Sequence, residues 1–344
     1  IPMGFTRSYG KYALRELRRL HSEDPVDVVH LHCPMISWTK KQFKICKEEI
    51  SPVVSSLHGS WLGERDGLRI ASKMKEAAVW ANPNDLAILL TGGYYARFEN
   101  AALSESTVCV ANSEATKQDF TSRYSPPNAW DCEVIHWGVD TEMFIPLTGE
   151  STKRKLIRER YNVPKDGKLL LAVGRLAARK GYSSLLRSFS MVNKKIPEAR
   201  LLIVGRGHLK KRLEKLSRKL GIREKVTIES SLSFDDLALL FRISDLVVYP
   251  SYYEGQGLIP LEAMASGTPV VTVDHGPLPE MVDDTVGKLF TMGDNDSMSS
   301  AIIEEIENPE KLLEKSILGR ERVLEKYTYE SNASRFSEIY SRIV

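Results

Sequence analysis

The chain has 344 residues, of which 42% are hydrophobic and 27% charged, and its formal net charge is +3. This length exceeds what one hydrophobic core usually supports, so the sequence predicts two domains. The weak positive charge and the lack of arginine-rich tracts with interleaved aromatic residues argue against a nucleic-acid partner. The sequence also lacks an apolar run of about 18 residues and the segment order of a signal peptide, so we expect a soluble cytoplasmic protein.

The four cysteines, at positions 33, 46, 109 and 132, have neither C-x-x-C spacing nor nearby histidines in a metal-ligand pattern. They are therefore predicted to be reduced and mostly buried thiols. The pattern predicts no metal site.

The first part of the chain is predicted to form a parallel sheet with helices around it. One helix comes first, and a single face of it carries Tyr9, Ala13, Leu17 and Leu20. Short apolar runs then predict strands at 26–31, 53–57, 107–110 and 133–136.

A basic helix is predicted between the first two of these strands. Its two faces carry Lys40, Lys44 and Lys47 on one side and Trp38, Gln42 and Ile45 on the other. Exposure of the lysines to solvent explains this pattern, and contact with an anionic membrane surface is the alternative.

Between residues 59 and 103 the regular alternation of strands and helices lapses. This segment is predicted to be a long irregular insertion, a kind of segment that often carries function. Its aromatic residues include Trp61, Trp80, Tyr94 and Tyr95. These side chains could stack on a carbohydrate, lie against a lipid carrier or belong to the core.

After a linker at 141–153, strands and helices are predicted in strict alternation, as in an open parallel sheet covered by helices. The strands are placed at 169–173, 201–204, 226–229, 246–249 and 270–273. The helices are placed near 183–193, 209–220, 234–241, 261–265 and 329–343, with Ser233 and Asp236 as a capping box. Glycines and charged residues follow several of the strands, at the sheet edge where such folds bind ligands.

The segment EGQGLIPLE at 254–262 is the most informative of these strand-end sequences. Pro260 is predicted to start a helix and Gly267 to end it, which places Glu254 in the loop and Glu262 in the first helical turn. A diphosphate could approach the backbone amides of 255–257, because two of these residues are glycines without a Cβ. The alternatives are an ordinary strand-loop-helix connection and a glycosidase pair of carboxylates.

With these motifs in place, the chain resembles the retaining glycosyltransferases of family 4. The resemblance rests on VIHWGVDTEMF at 134–144, AVGRLAARKG at 172–181, LIVGRG at 202–207, and the block from 254 to 280. It implies the α/β GT-B architecture of two facing Rossmann-like domains, at 1–146 and 147–328, with a final helix at 329–344 that packs back towards the first domain. Members of the family open with a strand and a glycine-rich loop, so we expect that residues precede Ile1 in the natural chain or have been omitted.

The resemblance also implies roles for particular residues. Arg175 and Lys180 would hold the donor diphosphate, Glu254 would bind the donor sugar, and Glu262 would bind the ribose. His58 would line the sugar site, as a histidine often does in the family, and a structural loop histidine is the alternative. The remaining donor-binding positions would be Gly174, Gly205, Ser231, Gly255, Gln256, Gly257, Leu258 and Gly276. Where the family commonly has a glycine and an aromatic residue, this chain has Ser230 and Gln256.

The function implied is transfer of a sugar from a UDP-, GDP- or ADP-linked donor to a carbohydrate, lipid-linked or small-molecule acceptor. The cations at the diphosphate would replace a metal, so no cofactor is expected. Two alternatives remain open: a nucleotide-sugar isomerase of the same architecture, and a catalytically silent protein that binds nucleotide sugars.

Overall fold

The computed structural model describes residues 3–33, 37–147, 149, 152–230 and 232–344, with side chains from residue 8 onward except that of Cys33. The chain divides into two compact units. The first comprises Ile1–Asp66, Trp80–Trp137 and Glu330–Val344, and the second comprises Gly67–Val79 and Gly138–Tyr329. Each unit is built on a parallel β-sheet.

The sheet of the first unit has four strands in the order β1-β2-β3-β4. They are β1 (Val29–Cys33), β2 (Val53–Leu57), β3 (Val108–Ala111) and β4 (Cys132–Val134). Leu57 pairs with both Cys33 and Ala111 at the carboxyl ends of the strands. The loops after β1, β2 and β3 therefore start at the same edge of this sheet.

Six α-helices precede the second sheet in the described part of the chain. They are α1 (Met3–Glu23), α2 (Lys40–Glu49), α3 (Trp61–Lys73), α4 (Pro83–Glu105), α5 (Glu114–Tyr124) and α6 (Thr152–Arg160). The core of the first unit includes Trp38, Phe43 and Phe120, all of which are fully buried.

The sheet of the second unit has six strands in the order β10-β9-β8-β5-β6-β7. They are β5 (Leu169–Val173), β6 (Arg200–Val204), β7 (Val226–Glu229), β8 (Leu246–Tyr249), β9 (Val270–Val273) and β10 (Gly287–Phe290). The central strands are buried along their whole length. Such continuous apolar runs are expected for a parallel sheet that is covered on both faces.

The later helices connect these strands and close the chain. They are α7 (Tyr182–Lys195), α8 (Lys210–Lys219), α9 (Phe234–Ile243), α10 (Leu258–Ala265), α11 (Leu278–Met281), α12 (Asn295–Glu307), α13 (Pro309–Lys326) and α14 (Tyr329–Ile343). Ile339 of α14 packs on the first sheet, against Val54 and Val110.

The prediction of an irregular insertion between residues 59 and 103 was wrong, because α3 and α4 occupy most of it. Helix α4 starts where Asn82 accepts hydrogen bonds from the next backbone amides and Pro83 occupies the first helical position. Its buried face includes Asp85, Gly92 and Glu99, which are not apolar, whereas Leu90 is exposed. The helix therefore lacked the periodic signal on which the sequence prediction depends.

The first two helices bury only part of the faces described from the sequence. Leu14 is buried in α1, whereas Tyr9 and Leu20 are exposed. In α2 the buried residues are Phe43 and Cys46, while Lys40, Lys44 and Lys47 are exposed to solvent. The lysines of α2 therefore form the solvated face that the sequence analysis favoured, and Trp38, on the other face, is fully buried.

In the second unit, the strand predictions at 169–173, 226–229, 246–249 and 270–273 match the observed strands, and β10 was missed. Ser233 caps α9 by accepting a hydrogen bond from the Asp236 amide. The free cysteines Cys46, Cys109 and Cys132 are buried, as predicted.

Candidate functional site

Four loops with predicted site residues begin at one edge of the second sheet. The parallel strands β9, β8, β5 and β6 are neighbours in that order. Gly174 follows β5, Gly205 follows β6, the 254–257 segment follows β8, and Gly276 follows β9. Since the carboxyl ends of parallel strands share an edge, the structure brings these loops together.

Gly205 is required by the close approach of two of these loops. A Cβ at Gly205 would lie only 1.9 Å from the carbonyl oxygen of Gly174, which itself has a φ of 143°. No other amino acid fits there without a shift of the backbone. Backbone groups therefore form this part of the sheet edge.

Lys180 and Glu254 form an ion pair at the same edge. The Lys180 ammonium donates a hydrogen bond to Glu254 Oε1 and another, of 3.0 Å, to the Tyr249 hydroxyl. The Tyr249 hydroxyl in turn donates to Glu254 Oε1 at 2.7 Å. Both charged side chains are only 11% exposed, so the pair is largely desolvated.

The charges of this pair fix the protonation state of Glu254. Burial alone would raise the pKa of Glu254, but the positive charges of Lys180 and Arg179 outweigh burial and bring the pKa to about 2. Burial lowers the pKa of Lys180, and Glu254 opposes that change. At neutral pH, Glu254 is thus an ionised hydrogen-bond acceptor.

The helix that carries Glu262 begins at Leu258, two residues before the predicted start at Pro260. Gly257 has a φ of 94° and turns the chain into the helix early, and a proline is tolerated in a first turn because its missing N–H would have no helical partner. Glu262 therefore lies in the second helical turn, not in the first as predicted. Gly267, with a φ of 73°, follows the end of the helix.

The Glu262 carboxyl is desolvated. Its Oε2 atom is buried and has no hydrogen-bond partner. Burial raises the pKa of Glu262 to about 7. A buried polar atom without a partner is uncommon in folded proteins, and a ligand hydroxyl could supply one.

The other predicted donor-binding residues differ in exposure. Gln256 is buried, with only 2% of its surface exposed, whereas Gly255, Gly257 and Leu258 are half-buried. Arg175 and Gly276 are exposed, and a Cβ at Gly276 would meet no atom within 4 Å. The loop after β9 is therefore exposed at Gly276, whereas Gln256 in the loop after β8 is buried.

Ser231 lies outside the described residues, and its neighbour Ser230 is held by two cations. Arg206 Nε donates to the Ser230 carbonyl at 2.8 Å, and Lys210 Nζ donates to the Ser230 hydroxyl at 2.8 Å. The place of the family's glycine is thus taken by a serine in a basic environment.

His58 belongs to the first unit, where it follows β2 in a stack of histidines. Its Nε2 atom is 2.8 Å from His32 Nδ1, and the ring of His32 stacks on that of His30 with centroids 4.6 Å apart. The Trp137 ring lies 4.5 Å from that of His58. Burial, with smaller contributions from the other two histidines, lowers the pKa of His58 to about 3, so the ring is neutral.

The sequence analysis did not identify Tyr249 and Arg179 of the second unit as candidate site residues. Tyr249 contacts both members of the ion pair, and a tyrosine that ends an otherwise aliphatic strand was the available signal. Arg179 donates to the Tyr253 carbonyl at 3.2 Å, and its own carbonyl accepts from the Tyr252 amide. Arg179 thus connects the loop after β5 to the loop after β8.

Among the residues that the structure describes, no helix is long and apolar enough to cross a membrane. The same residues contain no group of three or more histidines, cysteines or carboxylates arranged to hold a metal ion.

Both halves of the chain match models of known families. Residues 153–320 match the model of glycosyl transferases group 1, and residues 1–143 match that of glycosyltransferase family 4.

Curated relatives carry the same kind of name. An uncharacterized glycosyltransferase of Methanocaldococcus jannaschii is 28% identical over 92% of this chain and 75% of its own length. A GDP-mannose-dependent alpha-(1-6)-phosphatidylinositol monomannoside mannosyltransferase of Mycolicibacterium smegmatis is 28% identical over 69% of this chain and 63% of its own length. The chain spans from 33% to 75% of the length of the first three curated relatives.

Solved structures share the fold. Sucrose-phosphate synthase from Thermosynechococcus elongatus has a TM-score of 0.75 and 21% identity, over 99% of this chain and 80% of its own. A glycosyltransferase from Rickettsia africae has a TM-score of 0.74 and 20% identity, over 96% and 80%. The fold is the α/β GT-B fold that the sequence analysis predicted.

Proposed function

The chain belongs to glycosyltransferase family 4, and on that basis we propose that it transfers a sugar from a nucleoside-diphosphate donor to an acceptor hydroxyl, with retention of configuration at the anomeric carbon. The observation that supports this proposal best is the buried pair of Lys180 and Glu254 at the glycine-lined edge of the second sheet. That edge brings together backbone amides, a cation and an ionised carboxylate, although Lys180 and Glu254 are 74 positions apart in sequence.

The diphosphate would bind at Lys180 and Arg175. Negative charge builds up on a nucleoside diphosphate as it leaves, and cations fixed at that place stabilise the transition state. Lys180 is engaged by Glu254 and Tyr249, whereas Arg175 is exposed. Lys180 would therefore contact the phosphate while keeping its carboxylate partner, and Arg175 would move onto it. These two cations would take the place of a metal ion.

The two carboxyl groups would bind hydroxyls. Glu254 stays ionised because of its cations, which suits acceptance of hydrogen bonds from the donor sugar. The unpartnered Oε2 of Glu262 would accept a hydrogen bond from the ribose. Binding of a ribose would thus satisfy an atom that the free protein leaves unpaired.

A glycosidase remains the chemical competitor, because the pKa values of the two carboxyls are shifted in opposite directions. Such a pair can serve as nucleophile and acid. Membership of the family and the lysine bound to Glu254 both favour transfer, since a carboxylate that is held by an ammonium group is a poor nucleophile. Hydrolysis of simple aryl glycosides would separate the two activities.

The partners are proposed from the relatives. One relative is named as GDP-mannose-dependent and acts on a phosphatidylinositol mannoside, so GDP-mannose and a lipid-linked acceptor are the first pair to test. UDP- and ADP-sugars and soluble glycans come next. The exposed lysines of α2 would suit an acceptor in an anionic membrane surface. In the first unit, His58 is kept neutral by burial and would offer a hydrogen-bonding group without a charge.

The test is an assay of donor consumption over a panel of UDP-, GDP- and ADP-sugars, with and without acceptors. We expect turnover of one donor class, and a loss of about 100-fold or more in Glu254→Gln, as is usual when an electrostatic group at the reacting centre is removed. The exposed Glu325 on α13 provides a matched control, because Glu325→Gln makes the same chemical change away from the site.

Three results would contradict the proposal. They are no turnover of any donor, equal activity of Glu254→Gln and wild type, and hydrolysis of aryl glycosides faster than consumption of any donor. An epimerised donor formed without acceptor would indicate an isomerase instead.

A further inference from the structure

Glu76 is a fully buried carboxylate that none of the proposed roles uses. Its exposed fraction is 0%. It lies in the segment Gly67–Val79, which is part of the second unit although the residues on either side of it in sequence belong to the first.

The Glu76 carboxylate binds two parts of the second unit at once. Its Oε2 atom accepts from the Ser183 amide at 2.7 Å, and Oε1 accepts from the Ser184 amide at 2.9 Å. The Tyr252 hydroxyl also donates to Oε1, at 2.9 Å. The hydroxyls of Ser184 and Tyr252 lie 2.9 Å apart and close the network.

The amides of Ser183 and Ser184 belong to the first turn of α7, which otherwise lacks a side-chain cap. Glu76 therefore caps this helix from 107 residues away in sequence. A carboxylate is favoured there by the free amides and by the positive end of the helix dipole, and charge-assisted hydrogen bonds are stronger than neutral ones.

An unusual turn at the end of α3 sets the direction of the Glu76 side chain. Lys75 has a φ of 58°, a left-handed conformation that usually requires glycine. The Glu76 amide donates to the Ala71 carbonyl at 3.0 Å and the Lys75 amide to the Ser72 carbonyl at 3.0 Å, the pattern of a Schellman turn. Arg212 then fixes the Glu76 carbonyl with a hydrogen bond of 2.9 Å.

The two segments held by Glu76 are the start of α7 and the loop after β8, and they lie next to Lys180 and Glu254. Lys180 lies two residues before the start of α7, and Glu254 lies two residues after Tyr252. Gly181, between Lys180 and α7, is so close to the second loop that a Cβ there would lie 2.1 Å from the Pro250 carbonyl oxygen. A shift of either part would therefore change the distance between Lys180 and Glu254.

We propose that Glu76 is a positioning residue for the donor site: it joins the start of α7 to Tyr252 and so sets the geometry of the Lys180–Glu254 pair. The proposal depends on the proposed function only in that this pair takes part in transfer. It assigns Glu76 no contact with substrate.

The test compares Glu76→Gln, Tyr252→Phe and the double variant with Glu305→Gln. Glu305 is a suitable control, because it is also buried in the second unit, with 4% exposed, and pairs with Lys315 at 2.5 Å. We expect kcat to fall by about 10- to 100-fold in Glu76→Gln, as small displacements of reacting groups can cause, and to be unchanged in folded Glu305→Gln. Tyr252→Phe should show a smaller loss, and the double variant should be no worse than Glu76→Gln, since the two side chains share one interaction.

A second measurement does not need turnover. The rate at which acetic anhydride modifies Lys180, followed by mass spectrometry, should rise in Glu76→Gln and Tyr252→Phe but not in Glu305→Gln. Equal modification rates, or a kcat that follows only the folded fraction, would overturn the proposal. If the wild type consumes no donor while Lys180 is still modified faster in the two variants, the result counts against the proposed function alone. If Glu76→Gln does not fold, Tyr252→Phe decides by the same two readouts.

Discussion

The two units each hold buried ionisable groups after a parallel strand, but they hold them in opposite ways. In the second unit, Glu254 keeps its charge because Lys180 is bound to it. In the first unit, His58 loses its charge because burial is unopposed, and its neighbours are two more histidines. One region thus holds fixed charges, and the other holds neutral hydrogen-bonding rings.

The ion pair should be the most sensitive point of the second unit. Lys180→Met leaves Glu254 buried without its cation, which should cost about 3–5 kcal/mol of unfolding free energy. Adding Glu254→Gln removes the isolated charge, so the double variant should regain most of that stability while remaining inactive. Urea denaturation and donor turnover measured on the same samples would check this, and a stable Lys180→Met would show that the pair is not desolvated.

The glycines of the same edge should differ according to the space around them. Gly205→Ala places a methyl group 1.9 Å from the Gly174 carbonyl oxygen, so we expect a loss of about 3 kcal/mol or more, because the backbone must move. Gly276→Ala meets no atom within 4 Å and has only its φ of 59° to overcome, which should cost about 1–2 kcal/mol. Equal losses in thermal or urea unfolding would contradict the close approach of the two loops.

Glu262 should destabilise the protein as the pH rises. Its pKa is raised from 4.5 to about 7 by burial, so the folded state binds more protons than the unfolded state between these values, and stability falls as the pH passes through that window. The unfolding free energy of Glu262→Gln relative to that of wild type should therefore be about 2–3 kcal/mol higher at pH 8 than at pH 5. The measurement is the urea midpoint of both proteins at the two pH values. If the difference between the two proteins is the same at both pH values, the Glu262 carboxyl is exposed to water.

His58 should show the opposite dependence. Its pKa is lowered from 6.5 to about 3, so the unfolded state binds more protons in this window, and the stability that is present above pH 6.5 is lost as the pH falls. Relative to His58→Gln, the wild type should lose up to about 2 kcal/mol between pH 7 and pH 5. A direct check is the NMR titration of the ring, and a midpoint near 6.5 would contradict the burial of His58.

The sequence predicted most of the second sheet and the place of the 254–262 loop, because continuous apolar runs followed by glycines are strong local signals. It failed where the deciding contacts are distant in sequence. The start of α10 was predicted two residues too late, because the positive φ of Gly257 cannot be read from the residue type alone. Helix α4 was missed because its buried face carries Asp85 and Glu99 while Leu90 is exposed, which leaves no apolar stripe.

The contacts of Glu76 show the same limit most clearly. Nothing near this residue in sequence marks it, since its partners Ser183 and Tyr252 are 107 and 176 positions away. Lys180 and Glu254 were named from motifs, but their ion pair and the role of Tyr249 in it appear only when two separate loops are brought together by the sheet.

The most direct test of the account is a calorimetric titration of UDP, GDP and ADP into the wild type and into the Lys180→Met/Glu254→Gln variant. The account predicts saturable binding of one of these nucleotides to the wild type, and binding to the folded variant that is weaker by about tenfold or more, the equivalent of one lost charge-assisted contact. Equal binding to both proteins, or no binding of any nucleotide to the wild type, would contradict a donor site at this edge of the second sheet.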